Sequence, residues 1–184
     1  MANFYVSKEL TKDIEGGFFN DPTAGFTYRG ITKKYYPGWP GFNRLVLLQQ
    51  KFFPGRQIPR YTVFQDPVLD QMVSDFYKYN FWNLISGDHI ANQHIANFIY
   101  DFFVHKQNDA IRVINDSAKV FAPGVKTFQT KLSADVISLI NRLPGVFYNT
   151  LRQARMVYYK TKTGFSKKNR LLFLDRVKRF PVTI

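Results

Sequence analysis

Between residues 90 and 105 the chain sets Ala91, Ile95, Phe98 and Phe102 on one helical stripe, with Ile99 and Phe103 beside it. Apolar residues three and four positions apart mark a helix. An apolar face this wide marks one that is buried on most sides. Other segments carry helical signals of their own. The spacing of Leu69, Met72, Phe76 and Tyr79 continues a helix begun at Asp66-Pro67, a capping residue followed by proline at the first helical position. Helices are also expected over residues 4–14, 109–116, 133–141, 147–160 and 166–180. Pro37, Pro40, Pro54 and Pro59, with Gly38, Gly41 and Gly55, break regular structure around a short helix at 44–52. A strand-like Tyr61-Thr62-Val63-Phe64 follows. The expectation is a mainly α single domain over residues 1–184, with about six to eight helices and an irregular, loop-rich insertion.

A chain of 184 residues can bury roughly 70% of its unfolded surface, so it needs no staple to hold a core. It has no cysteine, which excludes thiol nucleophiles, thiolate metal sites and disulfides. His89 and His94 are five apart, a spacing that does not suit two metal ligands on one helical face, and His105 reads as a helix-end residue. No metal and no cofactor are expected. Of the net charge of +13, most comes from the segment after Thr150, with ten basic residues and one acid. Such a face attracts polyanions without naming one, and reads equally as a solvated surface. The N-terminus Met1-Ala2-Asn3-Phe4-Tyr5-Val6-Ser7-Lys8 lacks a basic start with an apolar core of about 7–15 residues. Nor does any run approach the ~18–20 apolar residues that span a bilayer. A product made in the cytoplasm, not transmembrane and monomeric, is the expectation.

Chemistry concentrates in Glu15-Gly16-Gly17-Phe18-Phe19-Asn20-Asp21-Pro22, followed by Thr27-Tyr28-Arg29-Gly30-Ile31-Thr32. The first helix carries Leu10 and Ile14 on one face, with Lys8, Lys12 and Asp13 elsewhere and Ser7 able to brace it. Gly16 and Gly17 supply a left-handed cap at its end, leaving Glu15 on the last turn. The negative end of the helix dipole disfavours an ionised carboxylate there, and burial near Phe18 or Phe19 adds to the effect. A carboxylic acid protonated near neutral pH can protonate a leaving-group oxygen. The same residues also read as a solvated glutamate beside glycines that only end a helix. Asp21, the nearest acid outside the helix, is either a second carboxylate or a cap in the Asn20-Asp21-Pro22 turn.

Residues 15–32 resemble the opening signature of glycoside hydrolase family 108, lysozyme-like N-acetylmuramidases found as phage endolysins and as bacterial proteins often called secretion activators. That signature runs Glu-Gly-Gly-aromatic-x-Asn-Asp-Pro, then a glycine-bearing loop, then Thr-x-x-Gly-Ile-Ser/Thr. Pro37-Gly38-Trp39-Pro40-Gly41-Phe42 resembles a Pro-x-Trp-x-Gly-aromatic segment of one branch. Phe76, Tyr77, Trp82, Ile95-Ala96 and Tyr100-Asp101 fall where the family has aromatic-rich central helices, and Phe173-Leu174-Asp175-Arg176-Val177 resembles its closing segment. The resemblance implies a lysozyme-like fold whose partner is the peptidoglycan glycan strand. The reaction it implies cleaves the β-1,4 bond between N-acetylmuramic acid and N-acetylglucosamine, with Glu15 as general acid. In the family the loop carries a further acid and a Gly-Gly pair; here it is shortened to Thr23-Ala24-Gly25-Phe26. That leaves Asp21 as second carboxylate, or a single-acid mechanism with water held by Thr27 or Tyr28. Release through a holin-type lesion, another secretion route or carriage in a virion would bring such an enzyme to the wall.

Sugars stack on aromatic rings, so Tyr28, Tyr35, Tyr36 and Trp39 are candidates to line a glycan groove, whereas Phe98, Phe102, Phe103 and Trp82 read as core. The expected substrate contacts are Asn20, Thr27, Tyr28, Tyr36, Trp39 and Tyr100. Residues 1–105 form the expected catalytic part. Residues 106–184 resemble a degenerate peptidoglycan-binding module: Gln129-Thr130-Lys131-Leu132-Ser133 stands where related proteins have a glycine turn, while Ile137, Ile140 and Asn141 remain. Two other readings compete, a non-catalytic wall-binding or virion structural protein and a basic nucleic-acid-binding module. Nothing resembles a base-reading motif, so no nucleic acid is expected.

Overall fold

The structure, a computed structural model, describes residues 1–22 and 24–184, and of residues 11–15 the backbone alone. Thr23, in the shortened loop, and the side chain of Glu15 therefore lie outside the described residues. Among the described residues are seven α-helices and one small three-stranded sheet, so the fold is mainly α as expected. The chain forms two compact units, residues 8–80 and residues 1–7 with 81–184.

In the first unit the later turns of α1 (Phe4–Glu15) lead into β1 (Phe18–Asp21), β2 (Gly25–Tyr28) and β3 (Ile31–Thr32), antiparallel in that order. The register sets Phe18 opposite Tyr28 and Tyr28 opposite Ile31. All three are buried, so one face of the sheet is core. Side chains alternate across a strand. The other row, Phe19, Thr27 and Thr32, is therefore turned away from that core and is only half-buried. α2 (Gly41–Phe52) packs on α3 (Pro67–Tyr77). Asp66 caps α3 by accepting from the Leu69 amide at 2.7 Å, and it is gripped by Arg44 of α2 at 2.5 and 3.0 Å. The Arg44 guanidinium holds its carboxyl below the usual range. The strand-like segment 61–64 forms no strand: Tyr61 is left-handed (φ 66°) at the end of a turn, and residues 62–64 are irregular. Leu10, expected on one face of α1 with Ile14, is half exposed to solvent, and Ile14 lies outside the described side chains. A π-helical turn, Lys78–Trp82, follows α3.

In the second unit Ile95, Phe98, Ile99, Phe102 and Phe103 of the expected stripe are buried along α4 (Gln93–Lys119), while Ala91 is exposed and precedes the helix. Asn92 caps this helix through the His94 and Ile95 amides, so it starts after Ile90 and Ala91. Gln107, with φ 42° and ψ −119°, breaks α4 between the two helices anticipated at 90–105 and 109–116. α5 (Ala134–Arg142) and α6 (Pro144–Thr161) pack on α4, and α7 (Lys167–Lys178) packs on α6. Buried among them, Asp101 takes Arg155 at 2.5 Å and both contacts of the Arg176 Nε at 2.9 and 3.1 Å. This ties the Tyr100-Asp101 and closing motifs together. His105 Nδ1 lies 2.9 Å from the Tyr159 hydroxyl. Burial first, then the Arg176, Lys106 and Arg155 charges, push its imidazole down to about 3. Among the described residues no helix is long and apolar enough to cross a membrane, and no group of acids and histidines is arranged to hold a metal.

Candidate active site

Glu15 is the last residue of α1. Two different constraints act on the glycines behind it. Gly16 takes the left-handed conformation (φ 63°) that ends the helix. Gly17 instead makes room: a Cβ there would stand 2.4 Å from the Tyr61 carbonyl oxygen and 2.6 Å from that of Thr62. The approach is held by the Phe18 amide donating to the Thr62 carbonyl at 2.8 Å and the Tyr61 amide donating to the Phe18 carbonyl at 2.7 Å. The helix end bearing Glu15 is thus fastened to the turn at residues 59–62 as well as to the sheet.

The remaining motif residues have local tasks. Asn20 is exposed at the end of the β1–β2 hairpin. One Asp21 oxygen accepts from the Ala24 amide at 2.8 Å, the turn-closing task of an aspartate before proline. Arg29 and Gly30 both have positive φ, which a tight two-residue turn between β2 and β3 requires. Thr27 donates its hydroxyl to that of Thr32 across the strands at 3.1 Å, so two hydroxyls meet on the accessible sheet face.

The expected aromatic contacts separate by burial. Tyr36 is half-buried, edge-on to Phe76. Tyr28 is fully buried, its hydroxyl accepting from the Phe64 amide, and burial pushes that hydroxyl above the ordinary tyrosine range. Trp39 is buried with its indole N–H donated to the Met72 carbonyl, and Gly41 supplies the space its ring fills. Tyr100, in the second unit, is buried against Phe4 and Trp82. None of these three offers an open ring face for a sugar; each serves packing.

Two residues that periodicity alone does not single out stand on the accessible side. The Arg60 guanidinium lies 4.4 Å from the Phe19 ring centre and 5.6 Å from that of Tyr61. Tyr61 is 70% exposed in spite of its left-handed backbone, a conformation that costs an L-residue roughly 1–2 kcal/mol. In the second unit, Asn141 bridges the His89 carbonyl and the Ala91 amide at 2.8 Å each, so the module asparagine fastens a loop.

Residues 9–106 match the family described as Glycosyl hydrolase 108. Brucella abortus SagA is similar in structure, with a TM-score of 0.58 and 18% sequence identity over 96% of this chain and 94% of that one. No curated protein matches by sequence.

Proposed function

The chain belongs to the glycosyl hydrolase 108 family, and from that premise we propose that it is a peptidoglycan hydrolase of the N-acetylmuramidase type, with Glu15 as general acid. The observation that carries this reading is the junction behind Glu15, where Gly16 ends the helix and Gly17 admits the Tyr61 carbonyl. A glutamate held there protonates the glycosidic oxygen between N-acetylmuramic acid and N-acetylglucosamine as the bond breaks and positive charge develops on the sugar ring. Water then completes the cleavage. The Thr27–Thr32 hydroxyl pair is suited to hold that water, and Asp21, the nearest acid in sequence outside the helix, is the carboxylate that could activate it. Asn20 and Tyr36 flank this region as further substrate contacts. Residues 1–105 are assigned to catalysis, and residues 106–184 to a helical part without an assigned ligand.

The test is to mix the purified protein with suspended bacterial walls and follow turbidity, new reducing ends and the mass of the released muropeptides. Reducing-end muramic acid, with a rate lowered by about 10²–10⁴ in Glu15→Gln, is the expected result. Full activity in Glu15→Gln would overturn the assignment.

A further inference from the structure

Tyr61 combines three properties that stability does not explain together. Its backbone is left-handed, which favours glycine or asparagine; its ring is 70% exposed; and its main chain is clamped against Gly17 and Phe18 beside the end of α1. The turn that holds it is closed on the Pro59 carbonyl, which accepts from both the amide and the hydroxyl of Thr62. A strained residue whose side chain contributes little to the core points to a task for that side chain. Its neighbour Arg60 rests on Phe19, and among the described residues no carboxylate pairs with it. A guanidinium beside two aromatic rings, without a carboxylate partner among the described residues, offers a flat apolar surface with one positive charge.

We propose that Phe19, Arg60 and Tyr61 form a subsite for a carboxylate-bearing hexosamine, the ring of Tyr61 stacking on the apolar face of the sugar and Arg60 taking the carboxylate. The inference rests on the reading of Glu15 as a peptidoglycan acid, since a muramyl unit of that substrate carries both features on one residue wherever its lactyl carboxyl is not amide-linked to a stem peptide. A guanidinium pairs with a carboxylate through two parallel hydrogen bonds, which gives direction as well as strength. The contact with Phe19 restrains the Arg60 guanidinium and lowers the ordering cost of that pairing. Uncharged N-acetylglucosamine would use the ring of Tyr61 alone. The subsite thereby distinguishes peptide-free muramyl units from glucosaminyl ones.

The experiment titrates the full chain, in a Glu15→Gln background that prevents turnover, with a muramyl-containing tetrasaccharide free of peptide and with chitotetraose. The parent is expected to prefer the muramyl sugar. Tyr61→Ala should weaken both by about tenfold, and Arg60→Gln should weaken the muramyl sugar alone, to the level of chitotetraose. Tyr61→Gly separates binding from folding: it relieves the backbone, so its melting temperature should hold or rise while both affinities fall. Tyr61→Gly or Tyr61→Ala binding as tightly as the parent would overturn the proposal, as would equal losses for both sugars in Arg60→Gln. A parent that binds with this preference but whose Glu15 form releases no reducing ends from walls defeats the hydrolase reading and leaves the subsite standing. Cleaved walls with undiminished affinity in the variants do the reverse.

Discussion

The carbonyl oxygen of Tyr61 stands 2.4 Å from where a Cβ on Gly17 would be, so residue 17 can be nothing larger than glycine unless the turn at 59–62 withdraws. That turn is held by hydrogen bonds to Phe18 in both directions, and withdrawing it breaks them. Gly17→Ala is therefore expected to cost about 3 kcal/mol, the upper end of overpacking penalties. Gly16→Ala meets no neighbour within 4 Å and is opposed only by its φ of 63°, so it should cost about 1–2 kcal/mol. Urea unfolding of the two variants measures the order, and wall hydrolysis should fall more in Gly17→Ala because the end of α1 moves with it.

Trp39 is buried beneath its contacts with Phe42 and Phe76, and its indole N–H is already donated to the Met72 carbonyl. Trp39→Phe should lower stability by about 1–3 kcal/mol through lost volume and the lost indole hydrogen bond to the Met72 carbonyl. The KM for glycan should stay unchanged. A raised KM with an unaltered unfolding curve would restore this tryptophan to the groove.

His105 makes stability depend on pH in a defined window. Its folded-state pKa of about 3 lies below the 6.5 of the unfolded chain, so below pH 6.5 the unfolded chain binds a proton that the folded one excludes. The contribution is complete above pH 6.5 and is lost as pH falls toward 3, with a slope approaching about 1.4 kcal/mol per pH unit. His105→Gln should flatten urea-unfolding stability between pH 6.5 and 4. The carboxylates held low by arginine, Asp66 and Asp101, lose their contribution only below about pH 4, so that window isolates the histidine.

Asp101 and its two arginines are buried with one more positive charge than negative. Asp101→Asn leaves both guanidiniums without their counter-charge and is expected to cost about 3–5 kcal/mol. Arg155→Met should cost less, because Asp101 keeps Arg176 and the pocket formed by Phe98 and Phe102 accepts an apolar chain. The His105 titration, followed by NMR, should shift upward in Arg155→Met, since one of the charges that depresses it is gone. An unmoved titration would show that burial and the Arg176 and Lys106 charges set it without Arg155.

The elements legible in the sequence are those whose signal is long or chemically specific. The α4 stripe repeats over several turns, and the caps at Asp66, Ser133 and Ser166 precede the helices they start, each accepting an amide three residues on. Gly16 is at the expected left-handed position, and the Gly30 of the motif is at the hairpin turn. The sheet escapes because its strands have four, four and two residues, too few for alternation to stand out. Adjacent Phe18 and Phe19, which read as one apolar pair, face opposite sides of it. Tyr61 imitates a strand residue, since tyrosine favours strands and nothing local announces a positive φ; only the distant contact with Gly17 imposes it. Tyr28 and Trp39 were legible as aromatics in a loop-rich region, but which aromatic turns inward is decided by room made elsewhere, at Gly41 for Trp39 and across the strands for Tyr28.

The sheet has an inward row, Phe18, Tyr28 and Ile31, and an outward row, Phe19, Thr27 and Thr32. Because the inward row anchors the hairpins, exchanges on the outward one leave the scaffold nearly undisturbed. Recognition can be retuned there by evolution or by an engineer without renegotiating how the chain folds.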